Sequence, residues 1–142
     1  MSNTRFPSAR AGSLDGSINF STGVFRAMLL RNYAYLSSHR TVAQVTEAGG
    51  IIVASSDPLA ITILDYGAVD AADAEFGSIA TGPIVNACII AQVSGPTGGD
   101  ELPQDAQRLI CFINRARSLP FTPNGRLIVC RWSNGAERIF QS

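Results

Sequence analysis

The sequence predicts a mainly β fold, a single-domain antiparallel β-sandwich or small barrel with little helix. About seven short apolar runs of strand length recur along the chain, separated by turn signals rich in Gly, Pro, Asn and Ser. Several of these runs are apolar on both faces, which is typical of strands that are covered on both sides. The chain has 142 residues, enough for one sizeable hydrophobic core, and no linker or internal repeat divides it.

The first sixteen residues differ from the rest, because they are polar and small and fit no helical or strand period. We therefore predict a flexible N-terminal arm over residues 1–16, followed by the β domain over residues 17–142. An arm of this kind is mobile alone and can become ordered on a partner; a merely frayed terminus is the alternative. Its candidate partner contacts are Arg5, Phe6, Arg10 and Leu14.

The elements of the first half follow from apolar runs and their boundaries. Residues 24–30 could form a helix or a buried strand, and a strand is favoured because Gly23 precedes the run and Arg31-Asn32 closes it. Thr41 is expected to cap a single short helix that ends at Gly49-Gly50. Strands are also expected over 51–54 and 59–64. The next segment, 65–79, holds four of the eleven acidic residues and is predicted to be a solvated loop, with a metal site as the alternative, because it lacks the EF-hand ligand pattern for Ca²⁺.

The second half contains the longest strand candidate, residues 83–94, which is predicted to be central because both of its faces are apolar. A polar surface loop, which is also a candidate partner contact, is expected over 95–105, and a second two-faced strand over 108–114. At the C-terminus, Asn134-Gly135 between apolar runs is the signature of a type I′ hairpin. That hairpin would place Val129 opposite Phe140.

The same hairpin would place Arg131 opposite Arg138, an unfavourable pairing of like charges. Either both side chains extend into water, or they meet carboxylates on a neighbouring subunit. The candidate partner contacts of this region are Arg126, Arg131 and Arg138.

No residue pattern indicates catalysis or cofactor binding. The only histidine, His39, has no carboxylate or thiol near it in sequence and is expected on a surface loop. The three cysteines lie in apolar runs without metal-ligand spacing, so buried thiols are expected, with one disulfide as the alternative; they are Cys88, Cys111 and Cys130. We therefore expect a non-enzymatic protein with no catalytic residue, no cofactor and no metal site.

The charge balance bears on the choice of partner. Eleven basic and eleven acidic residues give a net charge of zero, which argues against direct nucleic-acid binding. All eleven basic residues are Arg, which a GC-rich genome would explain and which also suits interfaces. The longest near-apolar run, 84–93, is too short to span a bilayer, and no export signal is visible. We expect synthesis in a cytoplasm and a protein partner.

The order of several segments also resembles a known group of proteins. A polar arm leads into GSINFST (16–22) and the apolar run 24–30. Residues FGSI (76–79), GPIVNA (82–87) and RLICFI (108–113) follow, before the hairpin that bears Trp132. Over residues 16–142 this pattern resembles the small β-rich virion structural proteins of tailed bacteriophages, among them capsid decoration (cement) proteins.

The resemblance implies a function at the capsid surface of a virion assembled in the host cytoplasm. The partners would be the major capsid protein and further copies of this chain, in a homo-oligomer for which a trimer at three-fold positions is one arrangement. A neck or tail component is the first alternative. A tail-tip module that binds the host surface is the second, with Tyr33 and Tyr35 as its aromatic anchors.

Overall fold

The computed structural model describes residues 3–56, 58–59, 61–63, 68–71, 74–78, 82, 84–85, 87–113, 127–130 and 140–141. These residues form ten strands and two short helices, and every strand pairing among them is antiparallel. The elements are β1 (Asn3–Arg5), α1 (Pro7–Asp15), β2 (Phe25–Arg31), α2 (Val42–Glu47), β3 (Ile51–Ser55), β4 (Ile61–Ile63), β5 (Ala68–Ala71), β6 (Ala74–Ser78), β7 (Ala87–Gln92), β8 (Arg108–Ile113), β9 (Leu127–Cys130) and β10 (Phe140–Gln141). The prediction of a mainly β fold is confirmed.

The largest sheet has five strands in the order β1-β8-β7-β2-β3. Strand β7 lies at its centre, paired with β2 on one side and β8 on the other, and all six of its residues are buried. The predicted central position of this strand is therefore confirmed, although it spans Ala87–Gln92 rather than residues 83–94. Its two-faced apolar sequence fits because covering layers remove both faces from water.

Both edges of this sheet have features that oppose further pairing. The β1 edge is only three residues long. The β3 edge has a register irregularity opposite Leu29 and Leu30, where β3 holds one residue more than β2. Short edge strands and bulges are two of the ways in which proteins avoid edge-to-edge association. A partner is therefore better sought on the helices and loops than on these edges.

The short helix α2 forms as its sequence predicts. Thr41 is its N-cap, and Thr41 and Gln44 make a reciprocal capping box that satisfies orphan backbone N–H groups. Val42 and Val45, three residues apart, are both fully buried, so one face of the helix packs on the core. Gly49 follows with a φ of 98°, a left-handed conformation that ends the helix.

The remaining strands correct two predictions. Residues 65–79 were expected to be a solvated loop, yet β5 and β6 lie within them and Phe76 belongs to the core. Acidic residues are compatible with a strand here, because only one face of a strand needs apolar cover.

The C-terminal strands also differ from the predicted hairpin. Strand β9 pairs with β6 and β10 pairs with β5, in separate sheets, so Val129 faces Glu75 and Phe140 faces Val69. Pairing with distant strands has replaced the expected Val129–Phe140 pair. The Asn134-Gly135 turn lies outside the described residues.

Candidate interaction surface at the loop end of the sheet

The N-terminal segment (residues 3–23) is folded onto the sheet, contrary to the prediction that residues 1–16 form a flexible arm without regular structure. Strand β1 pairs with β8, with Arg5 opposite Cys111, and helix α1 follows directly. The Phe6 backbone N–H donates to the Ile110 carbonyl oxygen at 3.0 Å, and its side chain is 0% exposed. The centroid of its ring lies 5.1 Å from the centroid of the Tyr35 ring. Phe6 is therefore an anchor in the chain's own core and is not available to a partner in this fold.

Two side chains of the sheet hold the segment that follows. The Arg108 guanidinium donates to the Ser8 carbonyl oxygen at 3.1 Å and to Ser17 Oγ at 3.0 Å. Gln92, which is 2% exposed, donates to the Ser17 carbonyl oxygen and accepts from the Asn19 backbone N–H. We call these two sets of hydrogen bonds the Arg108 clamp and the Gln92 clamp. Because Gln92 and Arg108 are paired residues of β7 and β8, both clamps lie at the same end of the sheet.

The C-terminus of α1 is closed by a local turn. Asp15 Oδ1 accepts from the Ser17 backbone N–H at 2.9 Å. The hydrogen bonds from Ser17, aided by the nearby Arg108 and Arg40 charges, lower the pKa of the Asp15 carboxyl group below its ordinary value. Asp15 is consequently a carboxylate at neutral pH, one residue after the exposed Leu14.

The 95–105 loop lies on the surface, as predicted, and has a fixed backbone path. Gly98 and Gly99 adopt φ values of 88° and 93°, which favour glycine. The Leu102 backbone N–H donates to the Val93 carbonyl oxygen at 2.7 Å. Gln107 donates from Nε2 to the Leu102 carbonyl oxygen at 2.7 Å, so the loop is tied to the residues that directly follow β7 and directly precede β8.

The N-terminal segment and this loop meet. Thr22 Oγ1 donates to the Pro96 carbonyl oxygen, and Ser94 Oγ accepts from the Val24 backbone N–H at 2.8 Å. At Gly98, a Cβ atom would lie 2.9 Å from the Thr22 carbonyl oxygen, so the two segments are in van der Waals contact. We call the surface formed by residues 14–23 and 95–105 the loop end.

The predicted contact residues are divided among several environments. Leu14 is 90% exposed and belongs to the loop end, and Arg10 is exposed on α1. Arg5 is in β1, and Phe6 is buried. The hairpin candidates Arg126, Arg131 and Arg138 lie outside the described residues.

The aromatic residues and the histidine are not where they were predicted. His39 is 8% exposed, and its Nδ1 lies 2.7 Å from the hydroxyl oxygen of Tyr33, which is 3% exposed. Burial raises the pKa of the Tyr33 hydroxyl group. Tyr35 is half-buried against Phe6 and Phe112. The expectation of a surface histidine is wrong, and the tail-tip alternative loses Tyr33 as an exposed anchor.

A hollow of ≈ 310 Å³ opens beside the loop end, lined by Arg40, Thr41, Ala43, Gln44, Glu47, Asp105 and Arg108. Two basic and two acidic side chains lie in this lining, so neither sign of charge dominates.

Among the described residues, no group of three or more His, Cys, Asp or Glu is placed to bind a metal ion. Within the same residues, no helix has the length and apolar character needed to cross a membrane. Cys88 and Cys111 are fully buried, as expected.

Sequence reasoning missed both clamps and the hollow. Gln92 was visible as a polar residue inside an apolar run, and Arg108 as a charge that opens another. Each marks where a strand meets a loop, but neither residue identifies its partner, which lies more than 70 positions away.

No protein-family model matches this chain, and neither a curated protein nor a solved structure was found to be similar to it.

Proposed function

We propose that this chain is a non-enzymatic bacteriophage virion structural protein that binds the major capsid protein as a capsid decoration (cement) protein. Its mechanism is the burial of interface area across adjacent capsid subunits, which helps the shell resist internal pressure. Many copies of modest affinity add their effects through multivalency. The sequence-pattern resemblance, the mainly β fold and the zero net charge support this proposal.

One structural observation carries the proposal furthest. Residues 14–16 of the predicted arm and the 95–105 loop, two candidate partner contacts, both belong to the loop end, in which Thr22 contacts Pro96 and Gly98. That surface combines a 90% exposed leucine with a loop whose path is fixed by hydrogen bonds. A surface that is already ordered loses little conformational entropy on binding, which favours association.

Mass analysis of purified virions is the first experiment, with the amount of this chain compared with that of the major capsid protein. A near-stoichiometric ratio is expected for lattice-wide decoration. A very small ratio would contradict decoration and favour a neck or tail component. Absence of the chain from the particle would contradict a virion function altogether.

Point variants then test the surface. Leu14→Glu is expected to weaken binding to undecorated shells, because it puts a charge at the exposed apolar position of the loop end. Leu36→Glu is the matched control, since Leu36 is 51% exposed and lies outside that surface. Equal binding by both variants would show that the loop end is not the contact. Deletion of residues 1–15 is unsuitable, because it removes Phe6 from the core.

A further inference from the structure

The solvent-facing side of helix α2 has an unusual charge arrangement. Arg40 lies just before the Thr41 N-cap and Glu47 is the last helical residue, and both are exposed. Neither charge favours its own helix, because a helix N-terminus prefers an acidic residue and a C-terminus a basic one. Among the described residues, neither side chain is part of a salt bridge, although the Arg40 charge helps to lower the pKa of the Asp15 carboxyl group. These two charges are therefore open to an external partner.

The two charges and the hollow lie on the same side of the helix. Val42 and Val45 face the core, whereas Arg40, Ala43, Gln44 and Glu47 line the hollow. Arg40 precedes the extended N-cap residue and Glu47 ends α2, so the two charges lie at opposite ends of the helix. Ala43 and Gln44 lie between them in sequence and also line the hollow. The small Ala43 side chain leaves room there for another backbone to approach.

We propose that this face of α2 binds the same face of a second copy of the chain, in an antiparallel arrangement about a two-fold axis near Ala43. Such an axis places Arg40 of each copy opposite Glu47 of the other, so two equivalent ion pairs form. The pairing is charge-complementary in both directions, and the antiparallel arrangement also opposes the two helix dipoles.

The other charges of the hollow fit this occupant. A two-fold interface brings a surface together with its own copy, so a surface with an excess of one sign repels itself. Here Arg40 and Arg108 balance Glu47 and Asp105, and the whole chain has zero net charge. The Arg108 guanidinium already donates to Ser8 and Ser17, which leaves Arg40 as the basic partner. The balance of signs also makes a simple anion or cation a poor occupant.

Sedimentation of the purified full-length chain tests the proposal without reference to virions. A dimer is expected whose dissociation constant rises with salt, because exposed ion pairs are screened. Arg40→Glu and Glu47→Arg should each weaken dimerisation about tenfold, since each converts two attractive pairs into repulsive ones. The double variant, Arg40→Glu with Glu47→Arg, restores both pairs with exchanged signs and should dimerise like the unmodified chain.

Two further variants serve as controls. Asp100→Arg makes the same charge change as Glu47→Arg, at an exposed residue of the 95–105 loop, and should leave the dimer unaffected. Ala43→Gln adds bulk near the proposed axis without a charge and should weaken it. Circular dichroism confirms folding of each variant, including Ala43→Gln, whose position is half-buried, whereas the other substituted positions are exposed.

Three results would overturn the proposal: a monomer or trimer at every concentration, no effect of the single reversals, or a double variant as weak as either single one. Shell binding is measured separately with the Leu14 and Leu36 variants. A failed dimer test therefore leaves the proposed capsid contact standing, and a failed shell test leaves the dimer standing.

Discussion

The N-terminal segment and the 95–105 loop are similar in composition but are fixed on the protein by different interactions. Both are polar and rich in small residues, and both were predicted to lie on the surface. The N-terminal segment forms a strand and a helix, and Phe6 fixes it in the core. The loop has no residue of this kind, so glycine conformations and backbone hydrogen bonds define its path.

The difference shows that average polarity is a poor guide to docking. A single large apolar side chain can contribute about 1.5–3 kcal/mol when it is fully buried. In the N-terminal segment, Phe6 is such a side chain. The residues that follow it are held by the hydrogen bonds of Arg108 and Gln92. Four changes test this comparison.

The largest effect is expected at the apolar anchor of the N-terminal segment. Phe6→Ala should lower the free energy of unfolding by about 3–5 kcal/mol, because it removes a buried ring and leaves a cavity. Urea denaturation followed by circular dichroism measures the change. Leu14→Ala, on the exposed side of α1, should change it by no more than about 0.5 kcal/mol. Similar losses for both variants would show that the segment is not anchored through Phe6.

The next effect is expected at the Gln92 clamp. Gln92→Leu should cost about 1–3 kcal/mol, because the Asn19 N–H and the Ser17 carbonyl group lose their partner in a partly buried site. Amide exchange at Asn19 should accelerate in parallel. Gln104→Leu is the control, since Gln104 is exposed. Unchanged exchange at Asn19 would indicate that the clamp does not hold the segment.

In the 95–105 loop, the loss of stability is expected at the glycines that define its backbone path. Gly98→Ala and Gly99→Ala should each cost about 1 kcal/mol or more, because both residues have positive φ. Gly98→Ala should cost the larger amount. Its Cβ would lie 2.9 Å from the Thr22 carbonyl oxygen, whereas nothing lies within 4 Å at Gly99. Thermal unfolding gives both values, and equal losses would contradict contact between the loop and the N-terminal segment.

The smallest effect is expected at Asp15, a fully exposed carboxyl group with a lowered pKa. A group whose pKa is lower in the folded state stabilises the fold above its unfolded pKa and loses that effect as the pH falls through its folded pKa. Asp15→Asn should therefore be slightly less stable than the unmodified chain at neutral pH. The difference should shrink as the solution is acidified below the ordinary value of 3.8. Denaturation curves across that range measure it, and a difference independent of pH would exclude this carboxylate as its source.

Local sequence signals predicted much of the five-stranded sheet. The apolar runs that became β2, β7 and β8 were identified as strands because each is compact, bounded by turn or polar residues and, for β7 and β8, apolar on both faces. The helix α2 was identified by its cap and its terminal glycines. These signals extend over only a few residues, so they do not depend on what the chain contacts elsewhere.

The candidate site was less predictable. Leu14 and the 95–105 loop were chosen as contacts from the sequence and are exposed, but nothing local indicated that they belong to one surface. The hollow beside α2 draws its lining from two stretches that are far apart in sequence, 40–47 and 105–108. The charge arrangement of Arg40 and Glu47 could be read from sequence only after the direction of the helix and its buried face were known.

By itself, the sequence determined which segments form β2, β3, β7 and β8 of the main sheet, where α2 begins and ends, and that the chain is neutral. Only the tertiary structure decided that the N-terminal segment docks, that β9 and β10 pair with different strands, and that His39 is buried beside Tyr33. The physical reason is the distance along the chain over which each kind of interaction acts. Turns, caps and periodicity act between near neighbours, whereas docking and strand pairing depend on contacts between residues far apart in the chain, and those contacts compete with one another only in the folded state.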